Sequence, residues 1–430
     1  MIESLEKRVS ALEKKTGSQE APAQNPAEVP SQSPVESSPP PAPDGNDLRV
    51  YWNEGLRLDS NNGAFKLKIG GRIQNDWGFF GEGDDIQSSI GDSMDGTEFR
   101  RARFFVGGTF YENFEFKAQY DFEDGVADWK DVWMSAKNVP YFGTLKVGHF
   151  KEPFGLEQLT SSKDISFMER STADTFVPSR NTGIAFSNSA TNKRLAYSAG
   201  LFRETGAFGE SQSDSGSMNV TGRISGVPLW NEDGDHYLHL GAAASFKNID
   251  AAYTPGTEAE AHMAQDLVGV TGLAANDTNL YGAEVAYVRG PFSAQSEYIL
   301  ADIDALSGSK DATFDAYYLM GSYFITGEHR RYKLGSGVFD KIRPKRNFGF
   351  GEDGGPGAWE LLIRYSQIDL EDSGYTGGEL TDLTLGVNWH LNPNMKVMLN
   401  YIHGELEDGL LGVGEEDDID YIMTRFQVTW

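Results

Sequence analysis

The sequence predicts an all-β fold, a sixteen-stranded antiparallel transmembrane β-barrel carrying a short N-terminal coiled-coil helix and a disordered Pro-rich linker. Three observations lead there. Segments of roughly ten residues alternate strictly between apolar and polar side chains, the period of a strand with one face in water. Connections alternate between tight ones, such as Glu112-Asn113, Arg289-Gly290-Pro291 and Asn392-Pro393, and long ones rich in Gly and Asp. Aromatic residues gather at strand ends (Trp77, Phe79, Phe80; Phe110, Tyr111; Trp129, Trp133; Trp389), as girdles at the two membrane interfaces require. A soluble sandwich explains the alternation but not the short–long rhythm. The final TRFQVTW, with Phe426, Val428 and Trp430 on one apolar face, has the aromatic ending through which outer-membrane barrels are assembled.

Residues 1–15 place Ile2, Leu5, Val9 and Leu12 at spacings of three, four and three, an a/d seam two heptads long. A helix this short is marginal alone, so the seam points to self-association. Residues 16–47 form a periplasmic linker. Eight of the chain's 17 prolines fall between 16 and 45, with no aromatic residue, so this stretch cannot bury a core. Extended at ~3 Å per residue it spans on the order of 80 Å, a tether between helix and barrel. Residues 1–20 lack the apolar run of a signal peptide, which reads as a mature chain and says nothing against export.

The barrel occupies 48–430. In FKLKIGGRIQNDWGFF (65–80), Phe65, Leu67, Ile69, Ile73 and Trp77 share one face, with Lys66, Lys68, Arg72, Gln74 and Asp76 on the other. The same reading sets Arg101 and Arg103 against Ala102, Phe104 and Val106, and Lys117 and Gln119 against Phe116, Ala118 and Tyr120. Continued along the chain it gives strands at 65–79, 99–111, 114–124, 129–138, 143–150, 182–189, 193–203, 218–227, 236–249, 278–289, 291–302, 314–326, 357–369, 379–391, 394–406 and 419–430. Sixteen is even, which returns both ends to the periplasmic side and leaves a water-filled channel inside.

HFKEPFGLEQLTSSKDISFMERS (149–171) breaks the pattern. Parity carries strand 143–150 outward, so residues 151–181 begin at the external mouth. Phe154, Leu156 and Phe167 make this loop too apolar for water, but folded into the lumen they pack on the wall. Lys151, Lys163, Arg170 and Arg180 then face a narrowed passage, supported by Arg101 and Arg103 on the facing wall. Glu152, Glu157 and Glu169 offer another use of the loop, pairing with those bases to hold its shape. A second basic stretch, GEHRRYKLGSGVFDKIRPKR (327–346), includes Arg330, Arg331 and Lys333 and, between Arg330 and Arg346, seven Lys or Arg against one acid, Asp340. Parity makes it periplasmic, where it is either solvated or folded into the pore. The acidic stretches 81–98 and 404–420 are expected as external loops that bridge to lipopolysaccharide through divalent cations or keep the surface solvated.

GLRL-(x)6-FKLKIGGRIQNDW, FRRARFFVGG, the 149–171 stretch with FVPSRNTGI, GEHRRYKL, GAWELLIRYSQIDL, TDLTLGVNWHLNPNMKVMLNYI and the terminal FQVTW together resemble the phosphate-selective porin O and P family, from about Tyr51 to Trp430. The resemblance implies a trimeric outer-membrane channel for small anions, with arginines along the path and lysines at the constriction. Carried over residue by residue, it makes Lys66, Lys68, Arg72, Arg101, Arg103, Lys117 and Arg364 lumen-facing bases. Between 190 and 225 the only arginines are Arg194, Arg203 and Arg223, a sparse run along the outer vestibule, so phosphate itself is not implied.

A net charge of -27 argues against nucleic acid as a partner. The absence of cysteine removes disulfides and thiol chemistry. GFGEDG (349–354) has no βαβ unit around it, the seven histidines are scattered, and neither G-x-S-x-G nor H-E-x-x-H occurs, so no enzyme, cofactor or metal is expected. The expected function is passive diffusion of small solutes, preferably phosphate-like or other small anions, across a bacterial outer membrane. The expected setting is a homotrimer in contact with outer-membrane lipid and lipopolysaccharide, with the N-terminal helix touching periplasmic or cell-wall material. The alternatives are a general or weakly cation-preferring pore, because the external loops are acidic, and a structural protein tethered toward the cell wall.

Overall fold

The computed structural model describes residues 47–211, 218–372, 374–412 and 414–430. The helix expected over 1–15 and the linker as far as residue 46 lie outside the described residues. A hairpin of β1 (Leu48–Trp52) and β2 (Leu56–Ser60) leads into the barrel. The barrel strands are β3 (Lys66–Glu82), β4 (Gly96–Phe110), β5 (Phe114–Asp121), β6 (Asp128–Val139), β7 (Gly143–Lys151), β8 (Arg180–Ala190), β9 (Leu195–Arg203) and β10 (Asn219–Trp230). They continue with β11 (His236–Ala252), β12 (Ala274–Arg289), β13 (Phe292–Ala305), β14 (Ala312–Phe324), β15 (Ala358–Asp372), β16 (Tyr375–Asn392), β17 (Met395–Glu407) and β18 (Glu416–Thr429). Each pairs antiparallel with its sequence neighbour, and β18 closes on β3 from Ile419↔Glu82 to Thr429↔Arg72. All sixteen expected segments are strands of this closed sheet. The hairpin was not expected; its β2 extends the sheet by pairing Leu56↔Ile69 through Asp59↔Lys66.

The two faces are inverted relative to a soluble β-protein. On β3, Ile73, Trp77 and Phe79 are 37%, 47% and 53% exposed on the outside, while Arg72, Gln74 and Asp76 are buried inside. The outer wall is apolar because lipid is its solvent, and the inner wall is polar because water and charged loops meet it. Two expected girdle residues are corrected. Trp133 stands in register with Lys117 and Gly148, while its neighbour Met134 is the exposed one, so the indole faces the lumen. Phe80 packs edge-on against Tyr421 at 4.8 Å, also inside. Register decides the face, and a one-residue offset moves an aromatic ring from lipid to lumen. Trp359 and Trp389 do form an outward stack, 5.1 Å between ring centroids, at the periplasmic end.

Barrel closure depends on two glycines. Trp430 donates its N–H to the Gly71 carbonyl at 3.1 Å and accepts from the Gly71 N–H at 3.0 Å. A Cβ on Gly71 would lie 2.5 Å from both the Arg103 carbonyl and the Trp430 indole, and one on Gly70 would overlap the Trp430 carbonyl.

The short–long rhythm holds with two exceptions. Residues 325–357 form a long connection at the periplasmic end, and 373–374 a very short one at the external end. A third departure concerns the inner wall. Toward the external ends of β12–β18 the inward residues turn apolar (Ile303, Phe314, Ile368, Leu380, Ile402 and Ile419) and are buried. Residues 253–273 fold inward over them, contributing Ala259, Ala261, Leu267 and Val268, none of them measurably exposed. The lumen therefore has a hydrophobic core of its own on one side.

Candidate functional site

The stretch between β7 and β8 turns into the barrel, as its apolar residues require. Phe154, Leu156 and Phe167 are fully buried. The Phe154 ring occupies the space above Gly282 on β12, where a Cβ would approach it to 2.9 Å, and Phe167 lies under the Arg364 guanidinium at 4.3 Å. Polar anchors then fix the loop's path along the wall. The amides of Leu156 and Glu157 donate to Glu297 on β13 at 2.6 and 2.7 Å, and Asn388 on β16 donates to the Ser166 carbonyl at 2.7 Å. Lys396 on β17 reaches the Ile165 carbonyl at 3.1 Å, Gln427 on β18 the Lys163 carbonyl at 3.1 Å, and Arg72 on β3 the Ser162 hydroxyl at 2.6 Å. The loop hugs β12–β18 and β3–β4, Leu156 also packs with Val227, Tyr237 and Ala286 on β10–β12, and Glu152 reaches β8 and β10, which leaves most of β5–β9 uncovered.

Its carboxylates are the strongest ties. Glu169 meets Arg425 at 2.6 Å, Arg100 at 3.0 Å and Arg101 at 3.2 Å. Burial works to raise its pKa, but the three guanidinium groups overcome this and hold the carboxyl well below its usual range. Glu157 accepts from the Ser171 amide at 3.1 Å and pairs with Arg364 at 3.3 Å. Glu152 accepts from Asn181 at 2.7 Å and Asn219 at 3.2 Å. All three acids shape the loop, with wall residues as partners in place of Lys151 and Lys163.

The expected site bases divide into two groups. Arg101 is held by Glu169, Arg103 pairs with Asp121 at 2.5 Å, Arg180 with Asp131 at 2.8 Å, and Arg170 with Asp174 at 3.6 Å and two loop carbonyls. Lys333 pairs with Asp340 at 2.9 Å within the second basic stretch. No carboxylate pairs with Lys66, Lys68, Arg72, Lys151, Lys163, Arg330 or Arg331 among the described residues. Lys163 lies with Lys341 and Lys396 on a cleft of only about 20 Å³, room for little more than a water. Lys146 on β7, which sequence reasoning passed over, is also unpaired among the described residues and stands 4.7 Å from the Trp133 ring centroid. The alternation in GTLKVGHF places it inward, so the signal was present.

The second basic stretch also enters the lumen. Arg330 is buried, donates to Gln295 at 2.8 Å and stacks on Phe339 at 3.7 Å. A short ribbon, Arg331–Lys333 with Val338–Asp340, continues it inward. There the Gly337 carbonyl accepts from Arg223 at 2.8 Å and Tyr332 meets His239 at 2.6 Å. Arg331 itself remains exposed. A third inserted segment, 253–273, was not foreseen. Its Glu260 is buried and accepts from Ser366 and Thr384 at 2.6 Å each, beside an ion pair with Arg364.

Open space follows the uncovered wall. A cavity of about 490 Å³ lies toward the external side between 175–181 and 252–256. One of about 310 Å³ is lined by Lys146, Phe150, Lys151, Tyr197, Arg223 and Ser336. One of about 280 Å³ sits nearer the periplasm among Lys66, Lys68, Phe105, Lys117 and Trp133. Arg180 and Asp131 stand in the wall of this side, on β8 and β6.

Comparison with known proteins agrees with this architecture. A family model described as phosphate-selective porin O and P matches residues 67–430. Porin O of Pseudomonas aeruginosa is 29% identical over 418 residues, spanning 89% of this chain and 93% of that protein. Two solved structures share the fold. One is OmpT, an outer-membrane protein of Vibrio cholerae in a trimer form, with TM-score 0.51 and 13% identity over 85% of this chain and all of that one. The other is an anion-selective porin from Comamonas acidovorans, with TM-score 0.50 and 12% identity over 84% of this chain and 99% of that one.

Proposed function

Since the chain belongs to the phosphate-selective porin O and P family and is a porin of the bacterial outer membrane, we propose that small anions cross it along the wall the inserted segments leave bare. The path runs past Arg180 and Lys151, beside Lys146, and out between Lys117, Lys68 and Lys66. The observation that carries the reading is the distribution of unpaired charge. The loop consumes its own acids in anchoring, so Glu152, Glu157 and Glu169 do not neutralise the passage. The lysines lining both inner cavities outnumber the acids there, Asp59 and Glu115. A fixed charge acts on a permeant only within about 8 Å at physiological salt, so these cavity lysines outweigh the acidic external loops.

Selectivity then rests on Lys146 and Lys151 more than on Lys163, which lines a cleft too small for a hydrated ion. Lys146→Glu changes the local charge by two units. At ~5 Å in water, after screening, that is about 1 kcal/mol against an anion and as much in favour of a cation, or roughly a twentyfold fall in the anion-to-cation permeability ratio. The ratio comes from the reversal potential of single channels in a salt gradient. Lys163→Glu should move it much less. Equal shifts, or no shift at Lys146, would remove this path. The trimer belongs to the proposal as well, supported by the family and by the trimer form of an outer-membrane protein with the same fold. Chemical cross-linking of the detergent-solubilised protein tests it.

A further inference from the structure

The inner wall that faces the proposed path has a feature that conduction of inorganic anions does not need. Phe105 on β4, Trp133 on β6 and Phe150 on β7 point into the lumen, and each lines one of its two inner cavities. Lysine ammonium groups stand over these rings: Lys68 and Lys117 each 5.4 Å from Phe105, and Lys146 4.7 Å from Trp133 and 5.0 Å from Phe150. Of the three lysines only Lys117 is ion-paired among the described residues, with Asp131 at 2.6 Å.

Apolar rings on the wall of a water-filled passage leave hydrocarbon surface wet, which is unfavourable unless something covers it. Packing covers part: Phe150 is 5% exposed and sits with Ala185 and Phe202, with Trp133 against the cluster. Trp133 and Phe105 keep a partly open face on the cavity of about 280 Å³. A ring with an ammonium group beside it offers two contacts at once, charge for an anionic head and an apolar face for whatever the head is attached to. Inorganic phosphate uses only the first, because every one of its faces is a hydrogen-bond acceptor.

We infer that Phe105, Trp133 and Phe150, with Lys68, Lys117 and Lys146, form a binding track for amphipathic organic anions, a phosphate or carboxylate carried on an aromatic or apolar body. The inference rests on the anion path proposed above and names the class of solute that the path holds longest. Its dimensions fit: cavities of about 310 and 280 Å³ straddle the lower bound of small-molecule sites, about 300 Å³.

The test uses the full-length protein in planar bilayers, with phenylphosphate and inorganic phosphate as blockers of the single-channel chloride current. The quantity read is the ratio of their half-blocking concentrations, taken at one ionic strength. In the native channel phenylphosphate should block at a concentration threefold to tenfold lower, on the order of one aromatic contact. In Trp133→Leu and Phe105→Leu, which keep an apolar side chain but lose the ring, the ratio should fall toward one. Two variants on different strands guard against one failing to fold. A native ratio near one, or a ratio unchanged in both variants, overturns the track. A cation-favouring reversal potential in the native channel would instead overturn the anion path itself, so the two failures are told apart by separate readings.

Discussion

Glu169→Gln removes one negative charge from a site where three guanidinium groups converge, and its cost can be worked out partner by partner. Breaking a buried ion pair by removing one member typically costs ~3–5 kcal/mol, because the other charge is left buried and uncompensated. Here two of the three partners keep a carboxylate: Arg425 retains Asp76 at 2.7 Å and Arg100 retains Glu123 at 2.6 Å. Arg101 alone is stranded, with Gln74 at 3.1 Å as its remaining acceptor. The lower end, about 3 kcal/mol, is therefore expected, which raises the detached population of the loop roughly a hundredfold. The barrel itself should stay folded, since its strands pair independently of the loop. Hydrogen exchange of the detergent-solubilised channel reads this directly: amides of 156–171 should exchange about a hundredfold faster in the variant. Arg170→Gln is the comparison, because Arg170 holds two carbonyls and a partly exposed acid at 3.6 Å, worth ~1 kcal/mol or less. The Glu169 carboxyl has a lowered pKa, so its contribution is present above the unfolded value near 4.3 and is lost only as pH falls through the lower folded value. Exchange in Glu169→Gln that matches the native protein, or merely matches Arg170→Gln, would refute the anchoring argument.

Three further outcomes are expected. Gly71→Val should block barrel closure at Trp430, costing about 3 kcal/mol or more and abolishing the heat-modifiable folded band on gels, whereas Gly351→Ala, with open space around it, should fold normally. His262 sits 2.9 Å from Glu98 and 3.7 Å from Glu123, near the Arg100–Glu169 pair, and its pKa is raised by the Glu98 hydrogen bond despite burial. The tie it provides is complete below the unfolded value of about 6.5 and fades as pH rises through the raised folded value, so current noise should grow from pH 6 to 9 and be pH-independent in His262→Gln. Glu54, in the turn between β1 and β2, pairs with Lys341 at 3.1 Å and with Arg343, and Glu54→Gln should free both charges at the periplasmic mouth. The anion-to-cation permeability ratio should then rise about twofold, and an unchanged reversal potential would place this pair away from the path.

Much of the architecture is determined by short-range pattern. Period-two alternation located all sixteen strands, because each strand needs only to be apolar on one side, and that requirement is written residue by residue. The same pattern put Arg72, Arg101, Arg103 and Lys117 inside, and the apolar run Phe154, Leu156 and Phe167 announced a loop that had to leave water. Pairing is another matter. Whether Arg101 serves permeants or Glu169, and whether Lys163 faces the passage or a narrow cleft, depends on contacts between residues tens to hundreds of positions apart. Nothing in local sequence records those distances. The inward fold of 253–273 was illegible for the same reason: its Ala259, Ala261 and Leu267 are unremarkable until Ile368, Leu380 and Ile402 are brought around the barrel to meet them. Trp133 shows the limit most sharply. Grouped with Trp129 it reads as part of a lipid girdle, yet it lies in the middle of β6, and the register with Lys117 and Gly148, set by neighbouring strands, turns the ring into the lumen.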